Sequence, residues 1–266
     1  VLFKVVRALL SPWVRRQGLA VQRRTASLPE PAGSREGVSG IGKVCLRVLI
    51  VGDSSAAGVG AESQSQALSG RLGEALSQRL GGAVVWQVIA RRGDTTVQSL
   101  EALRRLPLRP ADVMVTTLGL TEMIAQVSPR RWLDQLDQLD RAAARVAGVQ
   151  HIVHCGMPPV HSFALPNPLR WVLAHGQRRY NQALADWCDR WPERWWLPLP
   201  YENLQATDSV LMADDGFHPG PAVYALWAEQ LAAIISTQIV PRLTETTPTR
   251  QLLAQAEARR RMRGAP

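Results

Sequence analysis

The chain has 266 residues, 46% of them apolar and 20% charged, the proportions of a folded globular protein with room for one large α/β domain or two small ones. They exclude a disordered chain, a collagen and a coiled coil, and no uninterrupted apolar run reaches the roughly 18 residues of a membrane-spanning helix. The net charge of +9 belongs to the ends: residues 1–29 hold six cations and no acid, and residues 250–266 hold five arginines against Glu257. The middle of the chain is nearly neutral, which argues against a nucleic-acid-binding surface. Cys45, Cys155 and Cys188 show no CxxC spacing, so they provide neither a disulfide framework nor a zinc site. They read as reduced thiols of a cytoplasmic compartment.

In chain order, Phe3, Val6, Leu10 and Trp13 share one helical face while Lys4, Arg7 and Ser11 share another. This is a short basic amphipathic segment, and its internal charges and Pro12 argue against a signal peptide. From Ala26 to Gly42 the chain is rich in Pro, Gly and Ser and reads as a connector. Leu46–Val51 is a β-branched run, the pattern of a strand buried on both faces. Helical spacing over Gln66–Leu80 ends at Gly81-Gly82, and a second strand, Ala83–Ala90, follows. Thr95–Leu106 is a helix, Asp112–Leu118 a strand, Arg130–Ala147 a helix and Gln150–Cys155 a strand. After a Pro-rich loop over Met157–Pro168 come a helix at Leu169–Trp191, a short strand at Trp195–Leu199 and a closing helix at Pro221–Ile239. Strands alternating with helices at this spacing predict an α/β fold with about five parallel strands covered on both faces. A further basic helix is expected over Pro248–Arg263. The expected division is an N-terminal segment and connector over 1–42, a catalytic-size domain over 43–241 and a basic tail over 242–266.

In an open parallel sheet, functional loops lie at the carboxyl ends of the strands. The residues there are Gly52-Asp53-Ser54-Ser55, then Arg92-Gly93-Asp94-Thr95, then Gly119-Leu120-Thr121-Glu122. Just before the last helix sits Asp215-Gly216-Phe217-His218-Pro219. A hydroxyl nucleophile needs a base within hydrogen-bond reach, and the base needs a partner to fix its tautomer. Ser54 at a strand-to-helix turn, with Asp215 and His218 three apart on one turn, supplies that set.

The segment Val51-Gly52-Asp53-Ser54 resembles the first block of the GDSL, or SGNH, hydrolase family, and Asp215-x-x-His218 resembles its last. The resemblance spans residues 46–240. It implies a flavodoxin-like three-layer sandwich and hydrolysis of ester or thioester bonds without a metal or cofactor. The catalytic residues it implies are Ser54, Asp215 and His218. It further implies an oxyanion hole built from the amides of Ser54 and Gly93. One departure stands out: the family's third block usually reads G-x-N-D, and here Thr121 replaces the donor asparagine. A threonine hydroxyl can donate one hydrogen bond but reaches less far, and loss of one oxyanion donor costs about 100- to 1,000-fold in turnover.

Each residue also has a plainer role. Ser54 could cap the following helix, Gly93 could serve a turn, and Asp214 could face solvent beside Asp215. Gly58-x-Gly60 lacks the third glycine of a dinucleotide site. His151 and His154 read as core or edge histidines, His161 and His175 as loop residues, and Trp187, Trp191, Trp195 and Trp196 as packing. The expectation is a serine esterase acting on small acyl esters, with no nucleic-acid partner. Acyl transfer by the same residues, or a binding protein on the same fold, remains open, as does the oligomeric state. The basic ends are either solvated tails or a peripheral contact with an anionic membrane, where each Lys or Arg adds about 1 kcal/mol.

Overall fold

The computed structural model describes residues 12–14, 16–21, 23, 28–160, 163, 165–199 and 211–243. Six strands form one sheet: β1 (Glu36–Ser39), β2 (Val44–Gly52), β3 (Ala83–Ala90), β4 (Val113–Thr117), β5 (His151–Cys155) and β6 (Arg194–Leu197). Their order is β1-β3-β2-β4-β5-β6; β1 runs antiparallel to β3 and every other pairing is parallel. The helices are α1 (Ser54–Ala57), α2 (Leu68–Leu80), α3 (Thr96–Arg105), α4 (Leu120–Ile124), α5 (Pro129–Ala147), α6 (Leu169–Cys188) and α7 (Pro221–Ile234).

The pleat of β2 explains the two cores. Val48 and Ile50 point to one face, where Leu68, Leu72 and Leu76 of α2 meet Tyr224, Trp227 and Leu231 of α7. Leu49 and Val51 point to the other, against Leu100 of α3, Leu136 and Leu139 of α5 and Leu173 of α6. This is the expected three-layer α/β/α sandwich. The closing helix, continued by a π-helical turn at Ile235–Ile239, is long and apolar enough by composition to cross a membrane. In the folded chain its apolar side is occupied by the first of these cores.

Five strands and their helices lie within a few residues of the expected positions. The sixth, β1, falls in the segment read as a connector. It is a four-residue edge strand whose Gly37 lies so close to Trp86 that a Cβ there would sit 2.5 Å from the ring. Trp86 Nε1 donates to Ser39 Oγ at 3.2 Å, and Arg109 pairs with Glu36 at 2.8 Å. The helix expected over Pro248–Arg263 and the first eleven residues lie outside the described residues.

From β2 the chain moves outward to β3, then returns to the other side of β2 to form β4. The loops leaving β2 and β4 therefore diverge and open a crevice at the strand ends, where open α/β sheets bind ligands.

Candidate active site

At the end of β2, Gly52 abuts β4: a Cβ there would lie 2.2 Å from Thr117 Oγ1 and 2.7 Å from Ala56 Cβ. Asp53, not Ser54, caps α1, its Oδ1 accepting from Ser55 N at 3.1 Å. Ser54 is the first residue of the helix, and its hydroxyl is not used as a cap. Neither the Ser54 amide nor the Gly93 amide has a hydrogen-bond partner among the described residues.

The loop before α7 holds a tight acid–imidazole pair. Asp215 Oδ1 accepts the amides of Phe217 and His218, each at 2.9 Å, while Oδ2 accepts from His218 Nδ1 at 2.6 Å. Burial pushes the Asp215 carboxyl up, but the His218 ring and these two amides outweigh it and hold the group below the usual carboxylate value. With Nδ1 engaged, Nε2 is the ring nitrogen left for chemistry.

Two contacts bring this loop to Ser54. Gly60, at φ +100°, passes so near the loop that a Cβ would lie 2.2 Å from the Pro219 carbonyl oxygen. Tyr224 Oη donates to Val59 O at 2.7 Å, tying α7 to the turn after α1. The glycine pair that resembles half a dinucleotide motif thus serves a close backbone approach.

Ser54 and His218 line one cavity of about 40 Å³, together with Thr117, Leu120, Met157 and Phe163. Phe163 packs on Phe217 with centroids 4.6 Å apart, and Phe217 meets the His218 ring edge-on at 5.2 Å. Gly93 and Thr121 do not line this cavity. Gly93 adopts φ +77° in an open loop with no atom within 4 Å of a Cβ position. Thr121 lies half-buried on α4.

Three further polar residues surround the site: Thr117 escaped sequence reasoning, while Asp53 and Glu122 stand in the strand-end segments without a role there beyond that of Asp53 as a helix-start acid. Thr117, at the end of β4, lines the cavity and has a buried hydroxyl without a hydrogen-bond partner among the described residues. Glu122 is buried, and its Oε1 accepts from Thr96 N at 2.5 Å, bracing the loop that carries Gly93 against α4. Its Oε2 is buried without a partner among the described residues. Asp53 is also buried; loss of solvation, helped by the charges of Glu122 and Asp94 and opposed by the Ser55 amide, pushes its carboxyl up to about 7.

The remaining expected residues lie elsewhere. His154 is a core residue on β5: its Nδ1 accepts from Thr116 Oγ1 at 2.8 Å, and its Nε2 donates to Asp140 Oδ2 at 3.3 Å. Arg194 completes that cluster, donating to Asp140 at 2.9 Å and stacking on Trp187 at 4.0 Å. His151 is half-buried at the start of β5, and His175 lies on α6 instead of in a loop. His161 lies outside the described residues. Among the described residues, no group of three or more His, Cys, Asp or Glu side chains is arranged to hold a metal ion.

No curated protein sequence matches the chain. Similar folds occur in the lipase Lip_vut3 from a goat rumen metagenome, at 15% identity and TM-score 0.55, covering 71% of this chain and 96% of that one. A lipolytic G-D-S-L family protein from Veillonella parvula superposes with TM-score 0.54 at 13% identity, covering 72% and 98%. The psychrotrophic esterase EstA from Pseudoalteromonas, solved with monoethylphosphonate as inhibitor, gives TM-score 0.51 at 16% identity over 71% and 96%. At these identities the likeness concerns the fold. The family model of GDSL-like lipases and acylhydrolases matches residues 50–226, two thirds of the chain, and spans every strand end described above except that of β1. The chain belongs to the GDSL-like lipase/acylhydrolase family.

Proposed function

We propose that the protein is a serine ester hydrolase in which Ser54 is the nucleophile, His218 the general base and Asp215 the residue that orients it. The observation that carries this reading is that His218 is locked by Asp215 at 2.6 Å and faces the same cavity as Ser54. Ser54 Oγ attacks the acyl carbonyl as its proton passes to His218 Nε2. The Asp215 carboxylate stabilises the resulting imidazolium through Nδ1–H. Collapse of the tetrahedral intermediate returns that proton to the leaving alcohol and leaves an ester on Ser54. Water, deprotonated by His218, then attacks that ester and releases the carboxylic acid.

The unpartnered amides of Ser54 and Gly93 are the oxyanion donors in this reading, since a donor spent on a carbonyl of its own fold could not serve a developing negative charge. Thr121 is the side-chain donor expected from the sequence; the neighbouring Thr117 hydroxyl is the alternative that lines the cavity. A cavity of about 40 Å³ walled by Leu120, Met157 and Phe163 suits a short acyl chain. A series of nitrophenyl esters from acetate to dodecanoate tests this. Turnover should be highest at acetate or butyrate and absent in Ser54→Ala. Equal residual turnover in that variant would refute the assignment.

A further inference from the structure

A second surface adjoins α4, whose Leu120 lines the cavity and whose Met123 meets α6. Three segments meet there. The side-chain amide of Gln17 donates to Asn167 O at 2.7 Å and accepts from Leu169 N at 3.0 Å, fastening the N-terminal helical segment to the start of α6. Farther along α6, Gly176 lies against Met123 of α4, and Tyr180 donates its hydroxyl to Val127 O in the turn before α5. The face assembled this way runs from the N-terminal segment across α6 to the start of α5.

Its chemistry is one-sided. Arg16, Arg23, Arg130, Arg131, Arg170, Arg178 and Arg179 are all exposed on these segments. Residues 12–23, 123–133 and 165–185 contain no Asp or Glu. None of the seven arginines is ion-paired among the described residues. Elsewhere, Arg47, Arg71, Arg79, Arg109 and Arg141 each pair with a neighbouring acid. Burial first, and then the Arg179 and Arg178 charges, pull the imidazole of His175 below its ordinary value, a sign of the local positive field.

Large apolar side chains stand among these cations. Trp13 is 65% exposed, Leu19 49%, Ile124 49% and Trp171 45%. In the N-terminal segment Val14, Gln17 and Val21 face inward, while Arg16, Leu19 and Arg23 share the outward face. On α6, Trp171 and Arg178 lie two turns apart on one exposed stripe. A nucleic acid would require the arginines but not the exposed Leu19 and Ile124. Cations interleaved with tryptophan and aliphatic side chains match an interface of anionic headgroups over acyl chains.

We propose that this face docks the protein on an anionic lipid surface. The contact lies on the folded domain, not on the basic chain ends alone, and it stands whether or not Ser54 is the nucleophile.

The test is co-sedimentation of the full-length chain with phosphatidylcholine vesicles, with and without phosphatidylglycerol. The parent protein should partition onto the anionic vesicles and release as salt rises. In the triple variant Arg130→Glu, Arg170→Glu, Arg178→Glu both basic ends are intact. Its partition coefficient should fall by about 100-fold or more, at roughly fivefold per arginine removed. Trp171→Ser should weaken binding at high salt, where the electrostatic share is screened. Circular dichroism confirms that each variant is folded, and the conservative Arg178→Lys should retain binding. Undiminished partition of the triple variant would place the contact at the chain ends and overturn the proposal. So would equal binding to neutral vesicles, or retention on single-stranded RNA without retention on vesicles.

Discussion

The two halves of the candidate site are built differently. On one side, Asp215 and His218 are buried and joined by two hydrogen bonds, a third comes to Asp215 from the Phe217 amide, and Gly60 and Tyr224 clamp their loop to the turn behind Ser54. On the other, Gly93 sits in an open loop and Thr121 lies off the cavity, held in place through Glu122 and the start of α3. The half proposed to transfer the proton is held by several local contacts. The half proposed to stabilise charge lies on two loops, after β3 and β4, which the buried Glu122 carboxylate ties together through Thr96 N. That is also where Thr121 stands in place of the family's usual asparagine.

The largest losses are expected at the rigid half. Ser54→Ala and His218→Ala should each lower turnover on nitrophenyl acetate by about 10⁵-fold, and the double variant should be no worse than either, because the residues act as a unit. Additive losses in steady-state kinetics would show that they do not. Next comes the clamp. Gly60→Ala puts a Cβ at φ +100° against the Pro219 carbonyl, and should cost about 3 kcal/mol in urea unfolding. It should also depress turnover in the protein that remains folded, since His218 must shift. An unchanged unfolding midpoint would remove the clamp from the account.

Asp53 caps the helix that carries Ser54 and feels the charge of Glu122, and its effect depends on pH. The carboxyl titrates near 3.8 when unfolded and at about 7 when folded, so between those values the folded chain holds more protons. The contribution of Asp53 to stability therefore falls as pH rises through that window. Asp53→Asn keeps a good helix cap and removes the charge. Unfolding free energies of parent and variant should agree near about pH 4, and the variant should be ahead by up to about 4 kcal/mol near about pH 8. A gap that is constant with pH would contradict the buried-acid reading. The smallest expected effect sharpens the open half: Thr117→Val should lower turnover by about 10-fold and Thr121→Val by less than about threefold. The reverse order would return the donor role to Thr121.

How much of this was legible in the sequence follows from the range of the interactions. β2 and β3 were readable because runs of β-branched residues admit few other structures, and Asp215 with His218 because the pair is three residues apart. β1 was not, since Glu-Gly-Val-Ser carries no periodicity and is a strand only because Val84–Gln87 offers it an edge. Thr117 hides inside the apolar run of β4, and nothing in the local pattern distinguishes its hydroxyl from that of Thr116, which pairs with His154. The Glu122–Thr96 bond crosses two loops, and its 26-residue separation leaves no local trace. The arginine-rich face escapes for the same reason. Its three segments are neutral in no single window, yet their shared lack of acids matters only once α6 brings them together.

Covalent capture measures whether Ser54 is an activated nucleophile without assuming a substrate. The folded protein is treated with a fluorophosphonate and digested, and the modified residue is located by mass spectrometry. The account predicts a single adduct on Ser54, formed at a rate that drops by orders of magnitude in His218→Ala. Folded protein that takes up no label at Ser54, or that labels equally fast without His218, would contradict it.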